Sequence, residues 1–189
     1  MAKLLMLTIF LILMSIGSSH AQYQGLSEAR ISSLCNEGDL EACVWLGVLA
    51  LGSESNPKRK EGQELLERAC MGGAGSGCTF FGFSRYENTG KAERDFAKAR
   101  EYYKMGCDSG HAYGCTLLGI HYEMAWDVDQ DLSFAKHKYE QGCSMGDYPA
   151  CTHLGRWYKQ GIGVDQNAEQ SRFYYSRACE LGNKRVCLN

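Results

Sequence analysis

Proline is nearly absent: Pro57 and Pro149 are the only two in 189 residues. A chain with so few residues that break helices suits a mostly helical fold. An excess of charge of one sign is missing too. Twenty basic residues stand against 22 acidic ones, a formal charge of −2, which lacks the basic footprint of a nucleic-acid binder or of a protein drawn to anionic membranes. No apolar run reaches the roughly 20 residues that span a bilayer. The longest, Leu4 to Ile16, is broken only by Thr8 and Ser15; it follows Lys3 and precedes the small residues Ser19 and Ala21. That order predicts a secretory signal over 1–21, cut between Ala21 and Gln22. No cysteine follows the cut, so lipid anchoring is not expected. Removing the segment takes away Lys3 and no acid, moving the charge from −2 to −3.

What is abundant is cysteine. All ten lie beyond the expected signal, at 35 and 43, 70 and 78, 107 and 115, 143 and 151, 179 and 187. Each pair is eight apart, and successive pairs are separated by 35, 37, 36 and 36 residues. A fixed period of this size marks a repeat array. Other columns share it. Glycine stands three residues after each first cysteine, at Gly38, Gly73, Gly110, Gly146 and Gly182, and four second cysteines open C-x-x-[LF]-G, ending at Gly47, Gly82, Gly119 and Gly155. Four residues before each first cysteine stand Ile31, Leu66, Tyr103, Tyr139 and Tyr175; eight before it stand the small residues Ser27, Gly62, Ala99, Ala135 and Ser171.

The spacing predicts two helices per unit. Ala99, Tyr103 and Cys107 lie four apart, one stripe on a helix face. The glycine after the cysteine supplies the left-handed backbone that ends a helix, and a new helix starts just beyond it. Its Leu/Phe fills the core, and its glycine admits a neighbouring helix closely. No such hairpin buries its apolar face alone, so the units must stack. The expected map is a lead segment over 22–39 with a helix at 26–36, then an array over 40–189. Helix pairs fall at about 40–72, 75–108, 112–145 and 148–181, within repeats of about 40–74, 75–111, 112–147 and 148–183, and a stub of a further helix covers 184–189. Asn56-Pro57 reads as a helix cap followed by proline at the first helical position.

Ten cysteines behind an export signal predict a disulfide framework. Joining each close pair, Cys35–Cys43, Cys70–Cys78, Cys107–Cys115, Cys143–Cys151 and Cys179–Cys187, uses all ten. Joining Cys43 to Cys70 across a hairpin is also conceivable, but carried along the array it orphans Cys35 and Cys187. The close pairs are therefore expected. Each closes a nine-residue loop, worth about 2.5 kcal/mol in the chain-entropy model. Zinc pairs usually sit about two to four residues apart, so a spacing of eight does not suit metal.

The C-x-x-[LF]-G element, the small-x3-Tyr-x3-Cys helix and the glycine turn resemble the Sel1-like repeat, an α/α superhelical solenoid related to the tetratricopeptide repeat. The fourth copy matches best, with Leu154-Gly155, Tyr158, Gly161-Ile162-Gly163-Val164, Tyr174-Tyr175 and Ala178-Cys179. The cysteines narrow the resemblance to the secreted cysteine-rich proteins first known from Helicobacter. The first copy departs, with Ala50 and Leu66 at tyrosine positions and Gly62 where alanine is usual, and the second has one extra residue before Tyr86. The resemblance implies an adaptor that holds a protein or peptide on a concave face. Alternatives within the family are a β-lactam-binding protein or weak β-lactamase, and an envelope immunity protein against a toxin.

Local signals for chemistry are thin. Ser133-Phe134-Ala135-Lys136 matches the S-x-x-K of serine β-lactamases, but 15 serines and 10 lysines yield about one such match by chance, and the S-D-N and K-T-G companions are missing. His111, His121, His137 and His153 occupy four different repeat positions, with no His-x3-His pair, so surface or partly buried roles are expected. The tyrosines fit core packing better than a haem or stacking platform. Lys58-Arg59-Lys60 reads as a solvated helix start. Trp45, His121 and Trp157 lie near the face expected to be concave. No catalytic, metal or cofactor residue is assigned, nor nucleic acid or stable membrane insertion, and the chain is expected to be monomeric, in a periplasm or outside the cell. Peptide mapping of unreduced protein should recover five links, each within one nine-residue segment; free thiols in the native protein would count against the close pairing.

Overall fold

The computed structural model describes residues 21–86 and 95–187. The expected signal lies outside them except for Ala21, in a 3-10 turn, Ala21–Tyr23. Among the described residues there are nine α-helices and no strand: α1 (Glu28–Asn36), α2 (Leu40–Leu51), α3 (Asn56–Met71), α4 (Gly75–Tyr86), α5 (Phe96–Asp108), α6 (Ala112–Met124), α7 (Leu132–Ser144), α8 (Tyr148–Gln160) and α9 (Ala168–Glu180). The chain is thus an all-helical solenoid: the lead helix α1, then the pairs α2/α3, α4/α5, α6/α7 and α8/α9, each helix packing on the next.

Two local differences from the sequence reading have simple causes. Ser55, not Asn56, occupies the cap position of α3, which places Pro57 in the first turn. The tail is not a helix stub but a 3-10 turn, Lys184–Val186, capped by the Asn183 side chain; so short a segment cannot repay the cost of nucleating a helix.

Each pair is held by one close approach. A Cβ added at Gly119 would stand 2.7 Å from the Tyr139 ring, and one at Gly155 would stand 2.8 Å from the Tyr175 ring. Gly82 faces Tyr103 in the same way, and Gly47 faces Leu66. The glycine of the first helix is therefore the seat for the large residue four before the next cysteine. Tyr103 and Tyr139 are fully buried there, which makes them core residues.

The connection from one repeat to the next is as regular. Gly38 and Gly73 take φ of +103° and +97°, which a side chain would strain, and Gly110, Gly146 and Gly182 match them. The turn brings the cysteines on either side together, so all five close pairs lie at disulfide distance, with S–S of 2.03 to 2.16 Å.

A second column spans three of the junctions. The residue after the turn glycine stands at the cap position of the following helix, and its side chain reaches the threonine that follows the second cysteine of the preceding repeat. His111 Nδ1 lies 2.8 Å from Thr79 Oγ1, Thr116 Oγ1 donates to Asp147 at 2.5 Å, and Asn183 Nδ2 donates to Thr152 Oγ1 at 3.0 Å. At the first junction the cap position holds Ala74 and the threonine is replaced by Val44, both in one apolar cluster. At the array's start Asp39 caps α2 and accepts from the buried Tyr23 hydroxyl at 2.7 Å.

Enclosure of its carboxyl pushes Asp147 up to about 6, against the opposing hydrogen bonds from Thr116 and the Ala150 amide. Its folded pKa thus lies above its unfolded one, and the stability linked to it is complete in acid and lost as pH rises through about 6. Asp147→Asn, the residue type that nature places at 183, should raise the melting temperature at pH 7.5 by a few degrees, equivalent to about 1–2 kcal/mol. The gain should vanish near pH 4. Equal melting at both pH values would show that the carboxyl is not strained there.

Candidate functional site

The first helices of the pairs, α2, α4, α6 and α8, turn their cysteine, Leu/Phe and glycine inward. The residues two and five after the cysteine lie on the opposite side. They are Trp45 and Val48, Phe80 and Phe83, Leu117 and Ile120, His153 and Arg156. Trp45, Phe83, Leu117, Ile120, His153 and Arg156 are half-buried, while Val48 and Phe80 are covered by their neighbours. The sequence of surfaces is aromatic and aliphatic through three repeats and cationic or polar in the fourth. Each first helix also packs directly on the first helix of the next repeat; no comparable contact joins the second helices among the described residues. Side chains two and five after the cysteine thus form one stripe.

Two of the three residues expected near this face are elsewhere. His121 and Trp157 both stand six after the cysteine, and both are fully buried. Trp157 packs edge-on to Tyr139 and donates to Glu123 at 3.2 Å. Trp45 alone stands in the stripe.

Beneath the stripe, α6 carries two buried ionisable groups, His121 and Glu123. His121 Nδ1 lies 3.0 Å from Asp127, which also accepts from Arg100 at 2.7 Å. Phe96, Tyr103 and Trp126 surround the imidazole. Burial pulls its pKa down, only partly opposed by Asp127, which favours the neutral ring; its Nε2 is buried without a hydrogen-bond partner among the described residues. The loop that brings Asp127 here begins at Ala125, whose φ of +52° falls where the fourth repeat places Gly161. Glu123 receives Arg156 at 2.6 Å and the Tyr139 hydroxyl at 2.5 Å, with His153 Nδ1 at 3.3 Å. Burial pushes Glu123 up, but the bonds from His153 and Tyr139 and the Arg156 charge outweigh it and hold the carboxylate below its usual range. Burial, then the Glu123 carboxylate, pushes the Tyr139 hydroxyl up. These groups tie α6, α7 and α8 together. Their signal in the sequence was weak, because Glu123, Tyr139 and Arg156 are spread over 34 residues, and Glu123 and Arg156 recur in no other copy.

The remaining sequence candidates are separate from this cluster. Ser133 is exposed in the first turn of α7, where Asp131 is the cap. Lys136 lies 3.2 Å from Glu140. Partial burial disfavours its charge, but hydrogen bonds to Glu140 and Tyr158 outweigh that and raise its pKa. An ammonium so held is no base for the Ser133 hydroxyl. His137 is exposed and His111 serves its junction. Lys58 and Lys60 are exposed at the start of α3, Lys60 near Glu64 at 3.9 Å. No group of three or more metal-ligating side chains occurs among the described residues, and no helix there is long and apolar enough to cross a membrane.

Comparison with known proteins follows this geometry. The Sel1 repeat model matches residues 40–73, 84–111, 112–147 and 149–183. No curated protein sequence matches the chain. Among solved structures, it is similar to a protective antigen present in uropathogenic Escherichia coli strains and displaying an SLR fold (TM-score 0.69, 20% identity, covering 84% of this chain and 34% of that one). A Sel1 repeat protein from Oxalobacter formigenes gives a TM-score of 0.72 at 19% identity, covering 84% and 63%. Cysteine rich protein B of Helicobacter pylori gives 0.56 at 27% identity, covering 71% and 96%. The chain therefore spans about a third of the antigen's length and under two thirds of the Oxalobacter protein's.

Glu123→Gln should destabilise the protein by about 2 kcal/mol at neutral pH, since it leaves Arg156 without its partner in a half-exposed setting. The folded pKa of Glu123 lies below its unfolded value, so its contribution is in place above the usual glutamate range and fades as pH falls through the folded pKa. Urea titrations across pH should show the gap between wild type and variant narrowing in acid. A constant gap would mean that the carboxylate's charge is not what the site uses.

Proposed function

The chain belongs to the Sel1 repeat family, whose model matches most of it, and on that premise we propose that it is an exported scaffold that binds a protein or peptide along the first-helix stripe. The stripe carries the reading: Trp45, Phe83, Leu117 and Ile120 stand in register across three repeats and, while packed on the core clusters, each keeps part of its apolar surface exposed. Direct stacking of first helix on first helix supports this side being the inner, concave one. His153 and Arg156 then offer polar contacts at the far end, already oriented by Glu123.

Five cysteine pairs at disulfide distance and the likeness to a Helicobacter cysteine-rich protein suggest an oxidising compartment, periplasmic or extracellular. The signal over 1–21 and its cut before Gln22 are part of the same proposal. Tyr23 supports it: two residues past the expected cut, it is already buried against the array.

Leu117→Glu with Ile120→Glu places two charges in the middle of the stripe without touching the glycine seats. Capture from the envelope fraction of the source organism, with wild type and variant as parallel baits, tests the reading. A partner retained by wild type and lost, by more than about tenfold in affinity, by a variant with unchanged helicity is the expected outcome. Equal retention by both would place the interface elsewhere.

A further inference from the structure

The lead helix is one turn shorter than its counterparts. Helices α5, α7 and α9 each begin eleven residues before the first cysteine of the following junction, at Phe96, Leu132 and Ala168, whereas α1 begins only seven before Cys35. Gly25, with φ of +85°, and Ser27, which caps the Arg30 amide, set that late start. The missing turn has a job in the later repeats. Phe96 covers His121 and Trp126, with ring centroids 6.1 and 5.5 Å away. Leu132 packs on the cluster around Trp157, beside Gly163. In the first repeat the residue that corresponds to His121 and Trp157 is Leu49, and it is 47% exposed.

A cleft of about 570 Å³ lies where that cover is missing, within the size range of ligand pockets. Leu46, Leu49 and Leu65 give it apolar walls. Glu28, Glu61 and Lys58 stand around it, none with an ion-pair partner among the described residues. A smaller adjoining hollow shares Leu65 and Glu61 and adds Glu64. Arg68 also borders that hollow, but its guanidinium is turned to the sulfurs of Cys35 and Cys43. The cleft thus sets two carboxylates, Glu28 and Glu61, and one ammonium, Lys58, around three leucines, with Ser32, Asn36 and Ser53 completing a mixed lining.

We propose that this cleft is a docking pocket for a bulky apolar side chain, flanked by lysine or arginine, from a peptide segment of a protein partner. The apolar side chain takes the place that Phe96 and Leu132 fill in later repeats, and the basic neighbour pairs with Glu28 and Glu61. The pocket shares no residue with the first-helix stripe, so it stands or falls separately from it.

Two acetylated and amidated hexapeptides test this, each with a Phe-Leu core, one between lysines and one between glutamates. Backbone-amide NMR of the oxidised, isotope-labelled protein reads where they bind. The lysine-flanked peptide should bind with sub-millimolar affinity and shift the amides of Leu46, Leu49, Glu61 and Leu65, and the glutamate-flanked one should bind about tenfold more weakly or worse. Glu61→Gln should weaken the lysine peptide severalfold, and Leu49→Asp should abolish its binding. Leu49 is nearly half exposed, so that variant keeps its helicity and its disulfides. Equal binding of the two peptides, shifts confined to Trp45, Leu117 and Ile120, or no shifts at all would each overturn the proposal; the second of these would leave the stripe reading intact.

Discussion

Every hairpin in the array depends on a glycine giving way to a large side chain. Gly82, Gly119 and Gly155 each leave space for a tyrosine ring that a methyl group would displace, and Gly47 does so for Leu66. The contact sets how closely the two helices of a pair approach, and with it the position of the cysteine four residues beyond the ring. Burial of a tyrosine ring or a leucine side chain is worth about 1.5–3 kcal/mol, more than half a turn of helix propensity, so the glycine in a helix interior is tolerated. The first hairpin shows the constraint from the other side. Its second helix carries Leu66 instead of a ring, and Gly62 brings the two backbones closer, with Gly47 O only 2.7 Å from where a Cβ at Gly62 would stand.

Hairpins alone make no array. The turn glycine and the cysteine pair fix how one hairpin leads into the next, and the cap-to-threonine bond fixes how the following helix sits on its predecessor. These devices act at different scales: the disulfide limits the unfolded chain, whereas the polar pair selects a register between surfaces otherwise made of small and apolar groups. At the junction of the third and fourth repeats a heavier link is added, with Glu123 held by Tyr139, Arg156, Trp157 and His153. Breaking into such a buried ionic group costs more than it adds to net stability, so its value lies in specificity of packing.

The helices, turns and cysteine pairs were legible because each depends on residues at a constant offset within one repeat. Ala99, Tyr103 and Cys107 announce a helix face whatever lies around them. The threonine column was missed because its partner is 31 or 32 residues away and varies among His111, Asp147 and Asn183. Which side chains reach the surface was not legible for a related reason. Periodicity gives the phase of a helix but not what covers each side, and the covers of His121 and Trp157 come from Phe96 and Leu132 in the preceding repeat. Trp45, two after the cysteine, is instead only half-buried.

The junction pairs also bear on how such a gene can change its length by recombination. With unit boundaries just after the cap residue, each threonine shares a unit with the side chain it meets: Thr79 with His111, Thr116 with Asp147, Thr152 with Asn183. Val44 and Ala74 share the first unit in the same way. Deleting or duplicating a whole unit at those boundaries therefore carries both halves of its pair and leaves no new mismatch. A cut inside a unit does the opposite: joining the chain after Val44 to the stretch that ends in His111 would strand the imidazole against valine methyls. Growth and loss in this lineage are thereby channelled to crossovers at the joints.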